Sequence, residues 1–529
     1  MHPFVHAAGN PGKTAVLMAR SGARLTYGEL DERSNRMAHF FRRQGLRDGD
    51  CVAVLMENNP RYFEIVWGAQ RSGLYYACLS TRLVAEEARY IVEDSGAKIV
   101  IASPALAPLA AEIVAGLGGG AALFVAGDTG GAWPNLDAII AGLPASPIPD
   151  EANGIDMLYS SGTTGRPKGV KPARPSGPLD QPNGLTAIGQ SQYGMGEDTV
   201  YLSPAPLYHA APLRWCMTVH RLGGTVIVME RFETIETLAQ IAKHQVSHAQ
   251  FVPTHFVRML KLSEAARQGF DCSSLRAVFH AAAPCPVPVK QRMIAWWGPI
   301  IHEYYAGTEM NGLCALNAEE WLAHPGSVGR SQWGDVKICG EEDGEPLGPG
   351  ETGLIYFAGG PAFEYHNDPS KTAAATNRYG WTTLGDIGRL DDEGYLYLTD
   401  RKSFTIISGG VNIYPQEIEN ILIMHQDVTD VAVFGVPDAD MGEIVVAVVQ
   451  PDAAAVADEA LARRIACFAR QNMSKVKVPR RIHFIAEMPR LPTGKLMKRI
   501  LKDNYDPEAG LVLAGEAGSA VRVSGRMKE

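Results

Sequence analysis

The run Tyr159-Ser160-Ser161-Gly162-Thr163-Thr164-Gly165-Arg166-Pro167-Lys168-Gly169 alternates hydroxyls and glycines before a lysine. Glycines let successive backbone amides crowd an anion, the hydroxyls add donors, and the ammonium adds a point charge, a combination suited to a triphosphate. The spacing is not that of the common P-loop, in which Gly-Lys is followed by Ser or Thr; here Gly169 follows Lys168. Taken alone, the run also reads as a Gly/Thr-rich surface loop. Four further segments follow in order. Tyr304-Tyr305-Ala306-Gly307-Thr308-Glu309 sets a hydroxyl beside a carboxylate, and a carboxylate near phosphates is a natural ligand for Mg²⁺. Gly380-Trp381-Thr382-Thr383-Leu384-Gly385-Asp386 ends in an acid suited to a ribose diol. Asp400-Arg401-Lys402-Ser403 leads into Ser408-Gly409-Gly410-Val411, a turn that permits close approach of a ligand. Pro492-Thr493-Gly494-Lys495 presents a lysine on a tight turn. Each segment alone has a plain structural reading as a capped helix, a hairpin turn or an exposed lysine. Five in this order argue for one nucleotide site.

The chain that must position these groups has 529 residues, enough for two or three domains. Charged residues make up 20% and the hydrophobic set 46%, a globular balance with a large core. A formal net charge of −9 gives no global attraction for nucleic acid or anionic lipid, although a local cradle suffices for ATP. Eight scattered cysteines without a C-x-x-C pair fit reduced thiols in a cytoplasmic enzyme and offer no zinc site. No basic segment followed by an apolar run opens the chain, so no signal peptide is expected. The weakly charged stretch 99–127 is broken by Pro104, Pro108 and three consecutive glycines, and reads as strand, short helix and strand rather than a membrane span.

Thr26-Tyr27-Gly28-Glu29 is a capping box ahead of helically spaced Leu30, Met37 and Phe41. Strands over 52–56, 75–79 and 98–101 then alternate with helices over 61–71 and 85–94, which argues for parallel sheets covered on their faces. Residues 171–184 hold four prolines and read as a loop open to mobility, and 340–353 as a hairpin connection in a β-rich section. Strands over 428–436, 444–449 and 482–485 with a helix over 459–472 make a compact α+β unit. The boundary is placed between Asp400 and Arg401, giving domains 1–400 and 401–529, with a frayed tail from about 507.

In combination these motifs resemble the adenylate-forming superfamily of acyl-CoA synthetases, firefly-type luciferases and peptide-synthetase adenylation domains, over nearly the whole chain. The resemblance implies an α/β fold: a large N-terminal domain of two α/β subdomains and a small β-barrel, under a small mobile α+β C-terminal domain. It implies that Ser160, Ser161, Gly162, Thr163, Thr164, Gly165 and Lys168 wrap the pyrophosphate portion of ATP, and that Thr308 touches the α-phosphate. Glu309, with Thr164, would hold Mg²⁺. Ala281, Ala282, Ala283, Pro284 and Tyr305 would flank adenine, while Asp386 and Arg401 would fix the ribose. His209 matches a position lining the acyl tunnel, with Trp215, Gly307 and Met310 beside it. Gly409 and Gly410 match the turn bordering the pantetheine channel, Ser403 the hinge, and Lys495 the lysine that drives the first step.

The implied activity joins a carboxylic acid to the AMP of ATP and passes the acyl group to coenzyme A. Trp215, Phe256 and Met310 suggest an apolar acid, aliphatic or aryl; Arg214 could read a second polar group on the acid, with a solvated arginine the favoured reading. The partners implied are the acid, ATP and coenzyme A, without nucleic acid or a transmembrane segment; a homodimer stays open. Three departures from the family pattern stand out: the proline-rich 171–184, Ala306 in place of the usual glycine, and uncharged Ser403 at the hinge. Loading onto a carrier protein and a catalytically silent acyl-nucleotide binder remain alternatives. Against the first, no carrier-type Gly-Gly-x-Ser motif follows the C-terminal unit, and Tyr208-His209 stands where amino-acid-activating relatives favour an Asp.

Overall fold

Short apolar runs separated by amphipathic helices bury both faces of a strand only when the strands lie parallel and helices cover the sheet. The computed structural model describes residues 1–160, 167–341, 343–401, 404–409, 411–438, 440–490, 496–506 and 510–511, without the side chains of Ser160, Asp400, Arg401, Asp506, Gly510 and Leu511. It contains two such sheets. A five-stranded, all-parallel sheet runs in the order Ala122–Val125, Ala97–Ala102, Cys51–Leu55, Tyr75–Cys78 and Ile155–Asp156. A nine-stranded sheet has a parallel centre that includes Thr14–Met18, Thr225–Val228, Val200–Ser203, His248–Phe251, Ala277–His280 and Ile301–Ala306, with antiparallel strands at both edges.

Helices Tyr27–Arg43 and Arg61–Arg71 contribute to one core that also takes residues from both sheets and from helix Ala210–Arg221. The first begins at the expected capping box, with Thr26 and Glu29 bonded reciprocally. The second is buried along almost its whole length. Gly68 lets the two helices touch, since a Cβ there would stand 2.4 Å from that of Met37. Arg71, 1% exposed, is held by Asp31 at 2.9 Å and Glu151 at 2.7 Å.

The β-rich section expected as a small barrel is a four-stranded antiparallel sheet, Asp335–Cys339, Gly353–Ala358, Thr382–Leu390 and Leu396–Arg401. Beside it lies a three-stranded sheet of Phe363–Tyr365, Lys168–Pro172 and Leu158–Ser160. The hairpin expected at 340–353 joins the first two strands of the larger of these sheets. Stretch 99–127 is strand, helix Ala107–Ala115 and strand, and among the described residues no helix is long and apolar enough to cross a membrane.

The proline-rich segment is irregular over 173–183, as its reading as a loop expects, and runs into regular elements at both ends. Lys171 and Pro172 continue a strand, and Gly184 starts helix Gly184–Tyr193. Between them Asn153 Nδ2 donates to Gly177 O at 2.7 Å, and Arg174 Nη2 to Asp48 Oδ2 at 2.7 Å. Leu179 is buried. The prolines prevent regular structure without preventing anchorage.

The C-terminal unit pairs Val428–Asp438 with Gly442–Pro451, adds Arg481–Phe484 in parallel, and is covered by helix Glu459–Asn472. It touches the large unit where Lys261 Nζ donates to Val428 O at 2.7 Å, where Met424 packs on the core around Phe256 and Met259, and where Tyr414 packs on the cluster of Cys339, Leu354, Tyr356 and Ile387. The boundary expected at Asp400/Arg401 falls at the end of strand Leu396–Arg401, where Arg401 pairs with Asp386. Of the tail read as frayed, 507–509 and 512–529 lie outside the described residues.

Gly312 joins the nine-stranded sheet to the antiparallel one, because a Cβ there would stand 2.0 Å from the ring of Phe357. Gly312→Ala is predicted to cost roughly 1–3 kcal/mol by overpacking, read as a lowered thermal unfolding midpoint. An unchanged midpoint would show that the Phe357 ring yields freely.

Candidate active site

Strand Ile301–Ala306 lies between a parallel and an antiparallel neighbour, so its end emerges where the nine-stranded sheet meets the β-rich section. Its buried base carries Glu303, 2.7 Å from Lys290 Nζ and 3.3 Å from His280 Nε2. Burial pushes the Glu303 carboxyl up and the Lys290 ammonium down, and each opposes the other's shift through their pairing. Burial, reinforced by Lys290, also drives His280 well down, favouring a neutral imidazole. Tyr304 accepts from Trp215 Nε1 at 3.1 Å and from Gln250 Nε2 at 2.6 Å, and burial pushes its phenol up to about 12.

Next along the strand, Tyr305 stacks on Phe357 and donates to Asp386 Oδ2 at 2.6 Å. Asp386 is buried, and its register partner on the neighbouring strand is Arg401. Two residues expected at opposite ends of a nucleoside are thus bonded to each other, with the third on the adjoining strand. The turn after the strand is tight. At Gly307 a Cβ would meet the side-chain ends of Leu384 at 2.6 Å and Glu309 Oε2 at 2.7 Å, so both would have to move aside. Met310 closes the turn at φ 53°, a conformation costly for a side chain of its size. Ala282, in the segment expected over adenine, likewise sits at φ 75°.

Glu309 Oε1 accepts from Tyr365 Oη at 2.9 Å. Lys168 Nζ lies 5.0 Å from the centre of the same Tyr365 ring, within cation–π range. Tyr365 reaches this position because its strand pairs with the one that starts at Lys168, with Tyr365 opposite Val170. One tyrosine therefore joins the expected phosphate lysine to the expected metal carboxylate. Among the described residues no group of three His, Cys, Asp or Glu side chains is arranged to hold a metal. The Glu309 carboxylate is a donor of the kind that suits Mg²⁺, which binds through one or two carboxylates plus phosphate oxygens and water.

Arg214 corrects the reading of it as solvated. Its side chain is 12% exposed, and Nη2 donates to Asp156 Oδ2 at 2.6 Å. Nη1 and Nη2 both donate to Thr308 O at 3.2 Å. Burial lowers its proton affinity, yet Asp156 outweighs this, with Tyr76 and Glu309 adding, so the net direction is upward. His209 is the N-cap residue of helix Ala210–Arg221, half-buried with its ring 4.5 Å from that of Tyr208. Asn58 fixes the approach to it, accepting from Leu207 N at 2.8 Å and donating to Ala205 O and Met229 O. Trp215 is 2% exposed and packs on Phe279, which places it in the core behind the site. Gly409 sits at φ 56°, its N–H donating to Met441 O at 2.8 Å.

Ser161, Gly162, Thr163, Thr164, Gly165, Ser403, Gly410 and Lys495, and the side chains of Ser160 and Arg401, lie outside the described residues. Tyr365, Asp156 and Asn58 went unread in the sequence. Tyr365 stands in an ordinary strand pattern, and the acid and amide are of common types with no distinctive spacing.

The model of the AMP-binding enzyme family matches residues 4–364, and that of the AMP-binding enzyme C-terminal domain matches 417–495. The chain belongs to the AMP-binding enzyme family. This is the adenylate-forming superfamily that its motifs resemble. Among its relatives is the long-chain-fatty-acid–CoA ligase FadD13 of Mycobacterium tuberculosis, 31% identical over 94% of this chain and 96% of that protein. Feruloyl-CoA synthase of an Amycolatopsis species is 33% identical over 94% of this chain and 96% of that one. ATP-bound MatB from Rhodopseudomonas palustris superposes with a TM-score of 0.81 at 28% identity, over 96% of this chain and all of the other.

Tyr365→Phe removes the hydrogen bond to Glu309 while keeping the ring under Lys168. With Glu309 as the Mg²⁺ ligand that the motif resemblance implies, this variant is predicted to raise the Mg²⁺ concentration for half-maximal pyrophosphate release about tenfold. A Mg²⁺ titration with an unchanged midpoint would separate Tyr365 from the carboxylate's role.

Proposed function

We propose that this protein is an ATP-dependent acyl-CoA synthetase acting on an apolar fatty or aryl acid. The observation that carries the reading is Glu309 held by Tyr365 beside Lys168, next to the Tyr305–Asp386 pair, in a chain whose residues 4–364 and 417–495 match the two models of the family. Two relatives of similar identity, one named for a long-chain fatty acid and one for an aryl acid, both form coenzyme A thioesters, which supports the acceptor more narrowly than the acid.

In this reading a carboxylate oxygen attacks the α-phosphorus of ATP and the bond to pyrophosphate breaks. Both partners are anions, so positioning and charge neutralisation supply most of the rate. Glu309 and Thr164 would hold Mg²⁺, which would supply part of that neutralisation. Lys168 and the 160–165 run cradle the departing phosphates, and Thr308 faces the α-phosphate. Asp386 and Arg401 hold the ribose, while Tyr305 and Ala282–Pro284 flank adenine. Lys495 offsets charge on the oxygens around phosphorus in the first step. In the second, a thiol attacks the acyl carbonyl and AMP leaves with its bonding pair. The turn at Gly409 and Gly410 borders the thiol's path, and Ser403 is the pivot that exchanges the Lys495 pose for that one. His209, Gly307 and Met310 border the acyl group, with Trp215 behind them. The eight free cysteines support a reducing, cytoplasmic setting.

Lys495→Ala is predicted to abolish acid-dependent ATP–pyrophosphate exchange yet to thioesterify supplied acyl-AMP. Near-normal exchange would remove Lys495 from the first step. A pyrophosphate-release screen over short, medium, long, aryl, dicarboxylic and amino acids tests the substrate class, with coenzyme A and carrier-protein thiols compared as acceptors. A preference for amino acids overturns the apolar assignment, and carrier-only transfer overturns coenzyme A.

A further inference from the structure

The Arg214 guanidinium joins three segments that are far apart in sequence. It comes from helix Ala210–Arg221 and grips Asp156 at the end of strand Ile155–Asp156, with Nε 3.1 Å from Oδ2 and Nη2 2.6 Å from it. It then forks with both terminal nitrogens onto Thr308 O. Asp156 stands four residues before Ser160, on the chain that leads into the hydroxyl-rich run. Thr308 O belongs to the turn that carries Glu309, crowded at Gly307 and strained at Met310. A turn of this kind persists only when its surroundings over-determine it. The two bonds from Arg214 supply such a restraint at a carbonyl one residue before the carboxylate.

We propose that Arg214 is a positioning residue that fixes the Glu309 turn relative to strand Ile155–Asp156, so that Glu309 is held at one spacing from the chain that leads into the phosphate run. The proposal rests on the functional reading above and goes beyond it, since the observed bonds of Arg214 run to Asp156 and Thr308 O and it acts through them. Its charge is committed to Asp156, so it is not offered as a reader of a second polar group on the acid. Lysine is not equivalent: a single ammonium cannot clasp a carboxylate sideways and also fork onto a carbonyl.

The test compares the unaltered enzyme with Arg214→Lys and with the double variant Arg214→Met/Asp156→Leu, by Mg²⁺ titration of pyrophosphate release, half-saturating acid concentration and thermal midpoint. The double variant replaces a buried ion pair by apolar side chains, a change often neutral for stability. Both are expected to raise the half-maximal Mg²⁺ concentration about tenfold with half-saturating acid unchanged, and the double variant to keep its thermal midpoint. Wild-type Mg²⁺ dependence in folded Arg214→Lys overturns the proposal. So does a raised acid requirement with normal Mg²⁺ dependence, which assigns Arg214 to acid recognition. Loss of folding in both variants reads as a purely structural pair and overturns it as well. If the unaltered enzyme shows no Mg²⁺-dependent release, the functional reading fails first and the positioning role falls with it.

Discussion

In the role proposed for Glu309, a carboxylate working among phosphates is pushed away by them unless its backbone and its oxygens are both held. Here the backbone of the Glu309 turn is tied by two bonds from Arg214 to Thr308 O, and one carboxylate oxygen by the Tyr365 hydroxyl. The turn itself is confined by Leu384 against Gly307 and by the left-handed Met310. The rest of the site is arranged around that fixed point. Lys168 meets the same tyrosine ring from one side, and Tyr305, at the end of the same strand, reaches Asp386 on the other. Preorganisation of this kind matters most where charge rearranges during reaction, because dipoles already in place need not reorient.

The acidic net charge of the chain makes such local arrangement necessary. With −9 overall, no long-range field draws an anionic nucleotide, so affinity must come from a few cations and amides at short range. Several charged groups are also buried at joints between elements: Arg71 with Asp31 and Glu151, Lys290 with Glu303, and Arg214 with Asp156. Buried pairs of this sort add little net stability compared with apolar packing, but removing one partner is costly. They therefore dictate which elements meet, and two of the three lie directly beneath or beside the strand that carries Tyr305.

Much of the fold was legible in the sequence. The capping box at Thr26, helices Arg61–Arg71, Ala85–Asp94 and Glu459–Asn472, and the strands between them follow from local spacing and cap chemistry, and the structure places them within a residue or two. What the sequence left open depends on distant neighbours. The proline-rich 171–184 has the composition of a mobile loop, yet Asp48 and Asn153 anchor it. Arg214 has the look of a surface residue because its partners lie 58 and 94 positions away in the chain.

The sequence by itself determined the family and the order of the nucleotide motifs, since hydroxyls, glycines, acids and lysines at fixed local spacing are dictated by the chemistry of a triphosphate and a ribose. It also determined the alternation of elements that forms parallel sheets. Only the tertiary structure decided that Tyr365 stands between Lys168 and Glu309, that Tyr305 is bonded to Asp386, and that Arg214 spans from Asp156 to Thr308. The physical reason is that a hydrogen bond between distant residues leaves no periodicity in either partner's neighbourhood. Strand register sets it, and one residue of slip would turn Tyr365 to the opposite face of its sheet.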